Sequence, residues 1–299
     1  MILSFQVVTM TGPRKCARLE LLREEKLYKL LPKVSKACRL EASGVYAMDD
    51  SICYVIFDNL NQVAMINTSL QPHRSNHLLS VLNVGKGFED ITYDPRNQRF
   101  YLIVEALKDT HGEFQGLVSE YRSDFAFCSC KQLDVAFARR NKGFEGIGHI
   151  WRGDDEYLVG LWEDALDKVD SGKGTGLLHV FKKTADGMWE RVNDVKLPAT
   201  AQFEDYAAIA QRGHHVAVIS QSSRRLWLGV LDETADGFAA DTGKTYRFPN
   251  KHYGNVEGVA WLSDDELVMV SDRRKKSQAK RDAEKDQSIH IFRIPEDEN

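Results

Sequence analysis

The chain has 299 residues, 42% hydrophobic and 28% charged, with a net charge of −4 when the histidines are neutral. That length allows two ordinary domains or one large β or α/β domain, and the mild acidity argues against wholesale binding to nucleic acid or a membrane surface. No apolar run approaches the roughly 18 residues a membrane-crossing helix needs. The opening "MILSFQVVTM" lacks the basic start and cleavage site of a signal peptide, so a cytoplasmic monomer is expected.

In chain order, the first patterned segment is "ARLELLREEKLYKLL", Ala17–Leu31. It reads either as an amphipathic helix, with Leu19, Leu22, Leu27 and Leu30 near one face, or as a strand. From Glu41 onward one phrase recurs: "EASGVYAM", "GKGFEDI", "NKGFEGI", "AQFEDYAAI" and "GNVEGVAW". Each copy opens the same series. A short alternating segment leads to a turn signal ("DDS", "PRNQ", "RGDDE", "QRGHH", "SDDE"). A nearly continuous apolar run follows ("ICYVIF", "FYLIV", "YLVGLW", "VAVIS", "LVMV"), then a third and a more variable fourth segment. Short runs of aliphatic and β-branched residues bounded by turns predict strands buried on both faces. The units start at Ser43, Glu89, Glu145, Glu204 and Glu257, at intervals of 46, 56, 59 and 53 residues.

A period in this range with four strands per unit predicts propeller blades. A sheet that is apolar on both faces cannot stand alone, and stacking blades around an axis buries those faces. The fold expected is an all-β, five-bladed β-propeller in one domain, with blades near 43–86, 87–142, 143–201, 202–254 and 255–295. The last unit has only three strands before the chain ends. "EKLYKLLPK" shares the rhythm of the fourth strands "NDVKLPAT" and "KTYRFPNK", so residues about 19–31 are expected to close the ring by completing the last blade. A six-bladed ring, with the N-terminus forming a degenerate blade, is the alternative.

In such a fold the first strand of each blade lines the channel, and the second returns beside it. The second strands end at Asp58, Glu105, Glu163, Gln221 and Asp272, 15 to 18 residues after the unit starts. One mouth should therefore gather Glu89, Glu145, Glu204 and Glu257, ringed by Asp58, Glu105, Glu163 and Asp272, with Asp90 and Asp205 adding charge. At an effective dielectric near 20, one like-charged pair at about 4 Å costs on the order of 4 kcal/mol. Protonation, basic neighbours (Lys86, Lys142, Arg273 and Arg274) or a hard divalent cation can relieve this. All-oxygen ligands favour calcium, then magnesium or manganese. Glu89, Glu145, Glu204, Glu257, Asp58 and Asp272 are the candidate metal ligands, and the four basic residues would engage a small anionic ligand. Glu105, Glu163 and His252 are the candidate proton carriers. The bland alternative has each glutamate bonded to backbone N–H groups of the next blade.

"EASGV", "FEDI", "FEGI" and "VEGV", each followed by an apolar strand ending in Asp or Glu, resemble the repeats of phytase-like propellers, the esterase-like phytase type, over about Glu41–Pro295. Calcium-activated nucleotidases are similar in architecture alone. These resemblances imply a channel metal and phosphoester chemistry at its mouth. Two departures stand out: no export signal is recognised, and Ser43 replaces a ring glutamate, with Glu41 as a substitute.

Other features point elsewhere. The five cysteines (Cys16, Cys38, Cys53, Cys128, Cys130) read as reduced thiols, because no second pair stands at metal-site spacing. "SGKGTG" at Ser171–Gly176 lacks phosphate-loop spacing, and no G-x-S-x-G elbow appears. His149 reads as a packed histidine. The charged stretch Arg273–Gln287 reads as a solvated loop or short helix beside the acidic mouth, with Glu163–Gly174 facing it. Trp151, Trp162 and Trp261 leave a carbohydrate-processing site open. The rival of another class is a non-enzymatic platform that binds a protein partner.

Overall fold

In the computed structural model, residues 16–82, 85, 87–108, 111–139, 142–232, 237–239 and 242–296 are described. Among these residues the apolar runs take up extended backbone as twenty strands. β1 (Glu20–Lys26) precedes the first unit, which supplies β2 (Ala42–Ala47), β3 (Ile52–Phe57), β4 (Gln62–Asn67) and β5 (His77–Ser80). The second unit supplies β6 (Phe88–Asp94), β7 (Arg99–Lys108), β8 (Phe114–Arg122) and β9 (Phe127–Phe137). The third holds β10 (Phe144–Arg152), β11 (Asp155–Trp162), β12 (Leu177–Lys183) and β13 (Trp189–Lys196). The fourth holds β14 (Ala208–Arg212), β15 (His215–Ser220), β16 (Arg225–Val230) and β17 (Lys244–Arg247). The last holds β18 (Val256–Trp261), β19 (Glu266–Ser271) and β20 (Ser288–Arg293).

Each unit is an antiparallel meander, and the fifth sheet runs β1-β20-β19-β18. The N-terminal segment therefore closes the ring, with Glu20 opposite Arg293 and Lys26 opposite Ser288. The unpaired edge of β20 offers a row of backbone donors and acceptors, and this outweighs the helical rhythm of the segment. Helix survives only as one turn, α1 (Leu27–Leu30), which buries Leu27 and Leu30. A single parallel bridge, Trp189 to Leu133, joins the outer edges of blades two and three.

Five buried apolar clusters fill the five interblade seams. Val55 and Ile66 meet Val268 and Ile289 across blades one and five, and Ile56 and Val63 meet Phe100 and Leu102 across one and two. Ile103 and Val118 meet Leu158 and Phe181, Leu161 and Val180 meet Val218 and Trp227, and Ile219 and Leu226 meet Leu267 and Phe292. A seam at every interface is what a closed ring requires, because each blade is apolar on both faces.

The inner strands explain the repeated phrase. Registers shift between Ala42 and Gly44, Phe88 and Ile91, Phe144 and Gly146, and Val256 and Gly258. Ser43, Glu89, Glu145 and Glu257 are thus the extra residues of β-bulges, which turn a side chain out of the regular pleat. The glycine that follows is demanded by close approach. A Cβ on Gly258 would lie 2.9 Å from Gly44 Cα, and one on Gly44 would lie 2.8 Å from Asp90 Oδ1. Blade two carries Asp90 in that place, fully buried. Its carboxylate accepts the N–H of Ile91 and, from the next blade, that of Ile147, both at 2.9 Å. Ser43 likewise spends its hydroxyl on the Phe88 carbonyl. Among the described residues no helix is long and apolar enough to cross a membrane.

Candidate functional site

At the bulged end of the inner strands lies a cavity of about 310 Å³ lined by Asp58, Glu89, Glu145, Glu163, Asp205, Gln221, Glu257 and Lys275, among others. Backbone hydrogen bonds place its second row of acids. The N–H of Asp58 donates to Glu41 O at 2.9 Å, that of Glu163 to Gly143 O at 3.1 Å, and that of Asp272 to Asn255 O at 2.8 Å. Each bond ties the end of a second strand two residues ahead of a bulge residue, so the two rows of side chains share one mouth.

Not all expected residues arrive there. Glu204 is exposed, and its neighbour Asp205 lines the cavity instead. The physical reason is that β14 starts only at Ala208, so blade four has no bulge at this position. Asp205 is spent locally, accepting from Ser220 Oγ at 2.6 Å and from Ser222 N at 3.0 Å. Glu41 pairs with Arg39 and stands beside Asp58 and Asp272, whose carboxyls its charge helps to raise. His252 stands off the cavity, 2.5 Å from Glu284. Arg273 is exposed, and Arg274 donates to the carbonyls of Lys275 and Gln278, both at 3.0 Å. Lys142 approaches, with Nζ 2.8 Å from Glu163 Oε1. Lys86 and the side chain of Glu105 lie outside the described residues.

Among the described residues the basic side chain that lines the cavity is one that no motif marks, Lys275. Lys275 Nζ lies 3.6 Å from Asp272 Oδ2 and 3.8 Å from Glu257 Oε1. Its only sequence signal is a third consecutive basic position after Asp272; which of the run turns inward is decided by the Lys275–Gln278 turn.

The electrostatics follow from burial and crowding. Burial first, then the charges of Glu89, Glu163 and Glu257, holds Glu145 well above the usual carboxylate range. Glu257 is held up in the same way, by burial and then Asp272, although Lys275 opposes the shift and Gln221 donates to it. Burial and the Asp272 charge push Asp58 up to about 7, and burial raises Asp272 to about 6 against the pull of Lys275. Lys275 itself is raised, chiefly by Glu257. Glu163 is raised by burial, partly offset by Lys142.

The donor set fits a hard cation on one further observation. Asp58 Oδ1, Glu163 Oε2 and Asp272 Oδ2 are buried and accept no hydrogen bond. Buried carboxylate oxygens normally find donors, and an unmet all-oxygen set is what calcium, magnesium or manganese would satisfy. Asp58, Glu89, Glu145 and Glu257 could hold the ion, with Glu163 and Asp272 flanking it.

A second cluster, Asp94, His149 and Glu156, lies at the opposite end of the channel with ligand atoms within 4.8 Å of one another. Its acids are already engaged: Asp94 accepts from Trp151 Nε1 at 2.8 Å and from Arg96 N at 2.9 Å, and Glu156 accepts from Tyr101 OH at 2.6 Å and Lys183 Nζ at 3.0 Å. His149 stacks on Tyr101, so the cluster ties blades two and three together. Trp162 and Trp261 also donate to backbone carbonyls, of Lys142 and Ala210. All five cysteines are free thiols.

No family model matches the chain, and no curated protein matches it. Among solved structures, Myxococcus xanthus glutaminyl cyclase is similar at 10% identity over 93% of this chain and 98% of that one, with a TM-score of 0.53. PQQ-bound aldose sugar dehydrogenase from Streptomyces coelicolor is 12% identical over 91% of this chain and 98% of that one, at 0.48. The RRP9 WD40 repeats are 8% identical over 93% of this chain and 100% of that one, at 0.47. At such identities the likeness is one of fold.

Proposed function

We propose that this propeller binds a divalent cation, calcium first, at its acidic mouth, and that the loaded mouth receives a small anionic ligand. The observation that carries the reading is the pair of buried carboxylate oxygens without donors in one cavity, Asp58 Oδ1 and Glu163 Oε2. Carboxylates that merely tied the ring shut would be spent on backbone groups, as Asp90 is. Glu145 instead accepts no hydrogen bond among the described residues, and burial and its acidic neighbours raise it.

Hydrolysis of a phosphoester or similar ester is the chemistry proposed, in line with the phytase-like resemblance of the repeats. When bound, the cation supplies a Lewis acid for an ester or phosphoryl oxygen and a water acidified toward neutrality. The chain's own groups do the rest. Asp58, Glu89, Glu145 and Glu257 hold the ion, while Gln221 orients Glu257. Glu163, half-buried and bonded to Lys142, is placed to take a proton from water at the rim. Lys142 offers the incoming anion a positive charge.

Calorimetric titration with calcium, magnesium and manganese tests this. Wild type should bind one ion of calcium per chain, and Glu145→Gln should bind about tenfold more weakly or not at all. No heat of binding with any of the three would overturn the cation reading and turn the search to protein partners.

A further inference from the structure

The mouth already contains a cation that belongs to the chain. Lys275 has a stem that is largely solvent-exposed, its side chain 59% accessible, yet its ammonium lies between Asp272, itself 1% accessible, and Glu257. We propose that Lys275 is a tethered counter-ion that a divalent cation displaces, so that loading the cavity releases the Lys275–Gln278 turn. This rests on the cation reading above and adds to it a built-in competitor.

Two features of the strap between β19 and β20 support displacement. Its distal part is pinned to the blades: Asp282 is buried, with Oδ2 3.4 Å from Arg224 Nη2, and Lys285 is buried against Glu24. Its proximal part is held by its own bonds and by the buried Asn255 amide, which lies 3.0 Å from Arg274 N and 3.2 Å from Gln278 Oε1. Gln278 N donates to Lys275 O at 3.0 Å, Lys275 N donates to Gln278 Oε1 at 2.6 Å, and Arg274 Nη1 donates to the carbonyls of both residues. Lys275, Lys276 and Ser277 are exposed. The turn can therefore swing the ammonium out of the mouth without breaking the bonds that anchor the rest of the strap.

The second feature is charge. Among the described residues six carboxylates line the cavity and Asp272 makes a seventh, against Lys275 within and Lys142 at the rim. An ammonium gives one charge and three donors, whereas a divalent ion gives twice the charge and accepts more oxygen ligands. Both draw on Glu257, the ammonium reaching it from beside Asp272, and the repulsion between ion and ammonium drives the lysine outward.

Calcium titration of wild type, Lys275→Met and a control, Lys276→Met, tests the proposal, with limited trypsin digestion as an independent readout. Lys275→Met should bind calcium about tenfold more tightly than wild type or better, and the control should match wild type. Trypsin should cut the wild-type turn faster with calcium than with chelator. Equal or weaker binding by Lys275→Met, or a calcium-insensitive cut in wild type, overturns the tether and leaves the cation site standing. Binding by none of the three proteins overturns the cation reading and the tether with it. A thermal midpoint for each variant, taken in chelator, shows that the ring is folded; Lys275→Gln replaces the methionine variant if that one is not.

Discussion

A carboxylate that serves a ligand, rather than the fold, should burden the protein when the ligand is removed. Glu145 is the sharpest case. It faces Glu89, Glu163 and Glu257 as like charges and Lys275 as its opposing charge. A cavity of 310 Å³ is about 8 Å across, and two charges at that distance interact by about 2 kcal/mol at an effective dielectric near 20. Three repulsions and one attraction leave about 4 kcal/mol, and proton uptake by the raised carboxylates relieves part of it. Replacing Glu145 with the isosteric, neutral glutamine should then stabilise the calcium-free protein by about 1–3 kcal/mol.

For a chain of this size, 1 kcal/mol moves the thermal midpoint by about 2–4 °C. Differential scanning calorimetry in chelator at neutral pH should therefore show Glu145→Gln melting several degrees above wild type. With saturating calcium the order should reverse, because wild type gains binding energy that the variant lacks. A calcium-free midpoint below that of wild type would refute the reasoning, since it would mean that the ionised carboxylate was supporting the ring.

Asp90→Ala should behave in the opposite way: it strips the Ile91 and Ile147 N–H groups of their acceptor and should lower stability by about 3–5 kcal/mol, as urea unfolding would show, while leaving calcium affinity unchanged in the folded fraction. The calcium-free wild type should lose stability as pH rises. Asp58 and Asp272 are raised from 3.8 to about 7 and about 6, so the stability they contribute is full below their ordinary value and lost as pH climbs through 6 to 7. A midpoint that rises across that window in chelator would contradict this. At the ring closure the sign reverses: Glu24 is lowered to about 2 by His290 and Lys285, so its contribution is present above 4.5 and lost as pH falls toward 2. Glu24→Gln should accordingly destabilise by about 1–2 kcal/mol at neutral pH after solvent screening, and much less in acid.

The ring, its blade count and its closure were legible because they are written as periodicity: five apolar runs bounded by turns, and a final unit one strand short. The alternation of inner and second strands likewise placed Asp58, Glu163 and Asp272 beside the bulge positions. What the sequence hid was local geometry. "FEDY" looks like "FEDI", yet Tyr206 hydrogen-bonds its hydroxyl to the carbonyls of Gly174 and Ala201, and β14 begins two residues later. Glu204 is left outside the ladder, where strand parity has no meaning. Lys275 was hidden for another reason. In Arg273–Lys276 four long basic side chains follow one another, and adjacency to Asp272 favoured the first two; the turn instead commits Arg274 to carbonyls and sends Lys275 inward. His252 was drawn toward the mouth by its place ahead of Glu257, but Glu284 on the strap holds it outside.

The site occupies the places where the propeller departs from its own rule. A regular inner strand would point alternate side chains into the interblade seams, where a glutamate has no place. In blades two, three and five the bulge frees a glutamate from that pattern, and in blades three and five the glycine after it lets neighbouring strands close up beneath, so the freed carboxylates crowd one mouth instead of spreading along the channel. Blade two shows the two fates side by side. Glu89, on the bulge, lines the cavity, and Asp90, one residue on, is buried and bonded to backbone. Two adjacent acids of similar chemistry thus meet different surroundings, one lining the cavity and one bonded to backbone N–H groups, and the register shift between Phe88 and Ile91 separates them.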